Sequence, residues 1–185
     1  MAARSPTMSQ ETADRPTRRT LLIGAGVTAG MAVTSGRAAA TATHPDPVAV
    51  TVQMAVRFDL KQWDLLPDVF TTEVWIDYTG LVGGTPGTVA AADLVAGWRA
   101  NLGHLAATQH LLGNQVAHVE GARARVTADF QATHRDGPLV GGRLYALGGR
   151  YDYRLTRTGR EWRIGAVTMT PVWESGDRTV IGLPG

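Results

Sequence analysis

Ala122-Arg123-Ala124-Arg125-Val126-Thr127-Ala128-Asp129-Phe130-Gln131-Ala132-Thr133-His134 alternates without a break. Side chains of a β-strand point to opposite faces in turn, so this stretch has one apolar face and one polar face. Ala122, Ala124, Val126, Ala128, Phe130 and Ala132 form the first. Arg123, Arg125, Thr127, Asp129, Gln131 and Thr133 form the second. His134 extends the apolar row, two residues after Ala132 and four after Phe130, so its ring is predicted to point inward. A core histidine satisfied by a hydrogen bond is the plain reading of that position, and a catalytic one is the sharper reading.

The period of two persists on both sides. Thr108 to Val119 reads as a strand bulged at Gly113, Leu144 to Arg157 as a long strand and Glu161 to Trp173 as another, with turns at Gly121 and at Thr158-Gly159. Tyr145, Leu147, Tyr151, Tyr153 and Leu155 share one parity. They could line a pocket for an aromatic ligand or simply pack the core. Upstream the period is helical. Val48, Val52, Ala55 and Phe58 share a face of a first helix, preceded by an extended lead-in at Pro45 and Pro47. A second short helix is predicted over Asp59 to Phe70 with a break at Pro67. Leu94, Trp98 and Leu102 recur on a third, from Ala90 to Leu105. Val74 to Tyr78 reads as a strand and Gly80 to Gly87 as a loop. Helices first and a run of antiparallel strands after them is the α+β layout.

The two ends read differently. Thr17-Arg18-Arg19-Thr20-Leu21-Leu22-Ile23 is a twin-arginine pattern, followed by an apolar stretch to Val33 that glycines weaken. Ala38-Ala39-Ala40 and Ala40-Thr41-Ala42 both fit a signal peptidase site. Residues 1–42 are therefore expected to be a twin-arginine export signal, cleaved after Ala40 or Ala42 or retained as an anchor. Residues 43–174 form the folded domain, and 175–185 a loosely held tail. Five of the 18 basic and two of the 16 acidic residues precede residue 43, so the remainder balances at 13 against 14. That gives no electrostatic case for nucleic acid, and no membrane contact is expected once the signal is removed. No cysteine is present, which excludes thiolate nucleophiles and zinc-thiolate sites. Lys61, the only lysine, lies in a polar helical stretch and is expected to be solvated.

Asp59 would pass as an ordinary helix cap and His110 is a polar group among apolar neighbours. His104 ends a helix, His118 nears a turn and His44 lies in the lead-in. Taken together and in order, however, Phe58-Asp59-Leu60-Lys61-Gln62-Trp63-Asp64, Ile76-Asp77-Tyr78, Thr108-Gln109-His110, His134 and Glu161-Trp162-Arg163-Ile164 resemble scytalone dehydratase and the SnoaL-like proteins. The likeness spans roughly residues 48 to 174. It implies an NTF2-like cone, in which N-terminal helices close a strongly bent antiparallel sheet around a pocket. It also implies roles. Asp59 matches an aspartate that orients a histidine, and Tyr78 a tyrosine that polarises a substrate carbonyl through water. His110 and His134 match the two family histidines. Phe58, Trp75, Trp98, Asn114 and Tyr151 are the expected substrate-binding residues. Relatives of this shape pair through the outer sheet face, so a homodimer or homotrimer is expected. Two positions depart from the pattern. Phe58 stands where the dehydratase has a tyrosine, and the family's asparagine falls near Arg150 or Tyr151.

The resemblance thus implies a cofactor-free lyase or isomerase working on a small cyclic or aromatic ketone, by proton abstraction beside the carbonyl. Histidine suits this because its ordinary pKa lies near neutrality. A small apolar or aromatic ligand held without chemistry is the rival reading. Two histidines with a carboxylate are also an iron set, but nothing in the spacing requires them to converge, and no metal is expected.

Overall fold

The computed structural model describes residues 46–185. The expected export signal and His44 lie outside the described residues. Helix α1 (Pro47–Asp59) starts at Asp46, whose side chain accepts from Val48 N. Pro47 is the first helical residue, not part of an extended lead-in, because an N1 proline lacks only an N–H that would go unused there. The buried stripe of α1 is Pro47, Thr51, Met54, Ala55 and Phe58, while Val52 is exposed. The face is thus rotated slightly from the one the valines suggested.

No second α-helix follows. Lys61 adopts φ +53°, which stops α1, and only a 3₁₀ turn at Leu66–Val69 precedes strand β1 (Phe70–Asp77). The glycine-rich stretch is not wholly a loop, since it contains the short helix α2 (Thr79–Val82) and the start of strand β2 (Gly87–Ala90). Helix α3 (Ala91–Leu102) then leads to the strands β3 (Ala107–Glu120), β4 (Arg123–Asp136), β5 (Arg143–Thr158) and β6 (Glu161–Gly176).

The six strands form one open sheet in the order β2-β1-β6-β5-β4-β3. It is mixed, not purely antiparallel, because β1 runs parallel to β6. The register slips between Gly113 and Val116 in β3 and between Gly148 and Gly149 in β5. Such bulges bend a strand and sharpen its twist, which lets the sheet curl around α1 as a cone. The second slip requires glycine, since a Cβ on Gly148 would lie 2.5 Å from the Trp173 ring.

The alternating stretch behaves as its pattern demands. Ala124, Val126, Ala128, Phe130, Ala132 and His134 are all buried in β4, and Tyr145, Leu147, Tyr151, Tyr153 and Leu155 in β5. All of them except His134 belong to the hydrophobic core. The last residues are not loosely held. A 3₁₀ turn at Arg178–Ile181 follows β6, capped by the Asp177 side chain accepting from Thr179 N, with Val180 fully buried. Arg143 at the start of β5 reaches Asp177 at 3.2 Å and Thr179 at 3.0 Å, and Arg178 donates to Leu81 O at 3.3 Å. A hydrophobic anchor and three polar contacts therefore fasten this end to the rim of the cone.

Candidate active site

Asp59 is the last residue of α1, where the helix dipole is unfavourable for a carboxylate. Donors from β3 compensate. Thr108 Oγ1 donates to Oδ1 at 2.9 Å, His110 N donates to Oδ2 at 2.7 Å, and His110 Nδ1 lies 2.7 Å from Oδ1. Burial alone would raise the pKa of Asp59. The His110 ring and backbone, with the Thr108 hydroxyl, outweigh burial and hold it below the ordinary carboxylate value. An ionised carboxylate only accepts, so Nδ1 of His110 carries a proton, and in the neutral ring the lone pair is on Nε2. That is the tautomer of a general base held by a carboxylate.

His110 lines a cavity of about 360 Å³ between α1, α3 and the concave face of the sheet. Tyr78, His134, Phe58, Trp98 and Tyr151 line it too. Asp59 stands behind His110, outside the lining. Phe58 meets His110, Trp63 and Trp98 edge to face, with ring centroids 5.0, 5.3 and 5.6 Å apart. The His110 and His134 rings are nearly perpendicular at 5.7 Å. The four residues expected to do chemistry thus belong to one constellation.

His134 is 5% exposed, and its Nδ1 has no hydrogen-bond partner among the described residues. Burial, and next the proximity of His110, lower its pKa to about 4, against the opposing pull of Asp59 and the Tyr145 backbone. The ring is neutral at pH 7. Burial raises the Tyr78 hydroxyl well above its usual pKa of 10, and nearby Tyr151 adds to that. Burial and the charge of Asp59 raise Tyr151, while burial and the other two tyrosines raise Tyr153. All three phenols stay protonated and can donate. In the register Tyr151 sits opposite Met169 on β6, next to Thr168, which faces Asp77, the last residue of β1 and the one before Tyr78.

Two expected substrate-binding residues are elsewhere. Trp75 is 44% exposed on β1, because its neighbour Val74 takes the inward side of the pleat. Asn114 sits in the β3 bulge with φ +48°, and its amide donates to Asp129 Oδ2 at 2.7 Å on the outer face. Lys61 does not stand free in solvent either; it is half-buried, and its Nζ donates to Gly103 O at 2.9 Å and to Leu105 O. Other lining residues escaped the sequence reading, including Asn101 on α3, Leu81 and Val82 of α2, and Ile181 to Leu183. For the last group a signal existed, since Asp177 ahead of Val180-Ile181 is a helix-start pattern. Among the described residues, no group of three histidine, cysteine or acidic side chains is placed to hold a metal ion.

The sequence matches the SnoaL-like domain over residues 48–168. No curated protein matches it. Solved structures do. The Kfla4162 protein of Kribbella flavida is 28% identical with a TM-score of 0.66, the match covering 70% of this chain and 90% of that one. A candidate aromatic ring hydroxylase of Novosphingobium aromaticivorans is 25% identical with a TM-score of 0.62, covering 72% and 92%. A candidate scytalone dehydratase of the same organism is 15% identical with a TM-score of 0.59, covering 71% and 85%, a likeness of fold. The architecture is the NTF2-like α+β cone.

Proposed function

This chain belongs to the SnoaL-like domain family, and from that premise we propose that it is a cofactor-free lyase or isomerase acting on a small, uncharged cyclic or aromatic ketone. The observation that carries the reading is the Asp59–His110 pair, with its proton fixed on Nδ1, backing a cavity lined mostly by apolar side chains. In this reading Nε2 of His110 removes a proton beside the carbonyl, and Asp59 stabilises the imidazolium that forms. Tyr78 and Tyr151, as protonated donors, take the developing enolate oxygen. Neutral His134 stands beside His110 to relay a proton to the departing hydroxyl or the new carbon centre. No arginine, lysine or carboxylate lines the cavity, and Asp59 behind it is negative, which disfavours anionic substrates. Incubation with a panel of cyclic hydroxyketones and aromatic ketones, followed by mass spectrometry and by deuterium exchange beside the carbonyl, tests this. Exchange that vanishes in Asp59→Asn and His110→Ala supports it, and exchange unaffected by either substitution refutes it.

One observation favours a second reading, a carrier that binds such a molecule without changing it. Phe58 brings no hydroxyl to the site where the dehydratase pattern has one. A carrier would retain its ligand stoichiometrically and show no bell-shaped pH profile. We also propose, from the twin-arginine pattern, that the protein is exported, and that copies pair through the outer sheet face as a dimer or trimer. Fractionation of cells expressing Arg18→Lys/Arg19→Lys and light scattering of the mature chain test these two points.

A further inference from the structure

We propose that Lys61 is the positioning residue that keeps Asp59 seated on His110. The inference rests on reading that pair as the base of the site. Its starting point is a residue in the wrong place. Lys61 N bonds Phe58 O at 2.9 Å and Gln62 N bonds Arg57 O at 2.8 Å, the two hydrogen bonds of a Schellman turn. Lys61 occupies the left-handed position of that turn, with φ +53°. Glycine is the ordinary occupant there, because a Cβ crowds the backbone. A lysine at this position costs stability unless its side chain gives something back.

It does so by binding a second segment. Nζ donates to Gly103 O at 2.9 Å and to Leu105 O. Both carbonyls lie beyond α3, which ends at Leu102, so the lysine is bonding the link into β3, not the helix's own last turn. That same link runs directly into Thr108 and His110, the donors to Asp59. Two residues apart at the end of α1, Asp59 and Lys61 thus grip one stretch of chain at two points. With both grips in place, α1 cannot slide or roll against β3 without breaking bonds at each. With only the Asp59 grip, the ring of His110 is free to swing with its strand. Lys61 is not itself a lining residue of the cavity, and its side chain bonds the Gly103 and Leu105 carbonyls, so its side chain acts on the chemistry through the dyad.

The test needs no substrate. In protein labelled with ¹⁵N at histidine, the proton shared by His110 Nδ1 and Asp59 gives a low-field ¹H resonance whose exchange with water reports how well the pair is held. It is assigned by its loss in Asp59→Asn. Lys61→Gly supplies the residue the backbone prefers while removing the grip. The expected result is a folded protein, by its amide spectrum, in which this proton exchanges at least tenfold faster or vanishes. Lys61→Arg, which keeps a long donor, is expected to retain the resonance, and Lys61→Met, which keeps only the stem, to lose it. If Lys61→Gly does not fold, the Met and Arg pair decides the matter alone. Wild-type exchange in a folded Lys61→Gly or Lys61→Met protein overturns the proposal while leaving the dyad standing. Absence of the resonance from the wild type overturns the dyad and, with it, this inference.

Discussion

Acid should weaken this fold well before its carboxylates protonate, and His134 is the reason. In the folded state its pKa is about 4, against an ordinary value of 6.5, because burial disfavours the imidazolium. Above pH 6.5 the ring is neutral whether the chain is folded or not, and it contributes nothing to pH dependence. As pH falls below 6.5 the unfolded chain takes up a proton that the folded one refuses, so the unfolded state binds more protons and stability drops. The loss grows until the folded state also protonates near pH 4. At 1.36 kcal/mol per pKa unit, the full effect is about 3 kcal/mol, with about 2 kcal/mol already lost at pH 5. For a domain whose total stability is on the order of 10 kcal/mol, that is large. With a urea dependence of about 2 kcal/mol per M, the midpoint should move down by about 1.5 M between pH 7 and pH 4. Other groups titrate over this range, so the decisive quantity is a difference. His134→Gln keeps a polar side chain that cannot be protonated, and its urea midpoint should fall about 1 M less than that of the wild type from pH 7 to pH 5. Asp59, held below the usual range, gives up its own contribution only lower still, as pH falls through its folded value. Parallel curves for wild type and His134→Gln between pH 7 and pH 4.5 would refute the reasoning, because they would mean the ring titrates normally and is not sealed.

Asp59→Asn should leave the melting temperature within a few degrees and cut turnover of an identified substrate by about 10²-fold or more, since an amide no longer enforces the useful His110 tautomer; steady-state kinetics read this. Removing residues 177–185 strips out buried Val180 and the wall made by Ile181, Gly182 and Leu183. Affinity for a neutral naphthol probe should fall at least tenfold by fluorescence titration. The intact cavity should bind such a naphthol at least tenfold more tightly than the matching naphthoate, and equal affinities would contradict the argument from its uncharged lining. Gly148→Ala should destabilise the domain by about 1–3 kcal/mol through collision with the Trp173 ring. Trp173→Ala should relieve much of that collision in a double-mutant cycle followed by denaturation.

Much of the architecture was visible in the chain because periodicity is a local property. Thirteen consecutive residues with a period of two can satisfy water and core at once only as a half-buried strand, and they place His134 inward with no knowledge of its neighbours. Bulge and turn signals at Gly113, Gly121 and Gly159 are equally local. The parallel pairing of β1 with β6 was not, because it depends on which distant segments share an edge. Asp59 shows the same divide within the site. Its sequence context suggests an ordinary cap, and the donors that hold its carboxylate against His110 lie about fifty residues away on β3. Resemblance, not local chemistry, singled it out.

The sequence by itself determined which faces of the strands would be apolar, where the helices α1 and α3 would lie, and that no thiol could take part. Tertiary structure alone decided that Trp75 and Asn114 face away from the cavity, that the final residues help wall it, and that the one lysine grips a neighbouring segment instead of standing free in solvent. The physical reason is common to all three. Whether a side chain is dry, paired or exposed depends on what the rest of the chain brings within a few ångströms of it, and those neighbours are selected by the packing of the whole core.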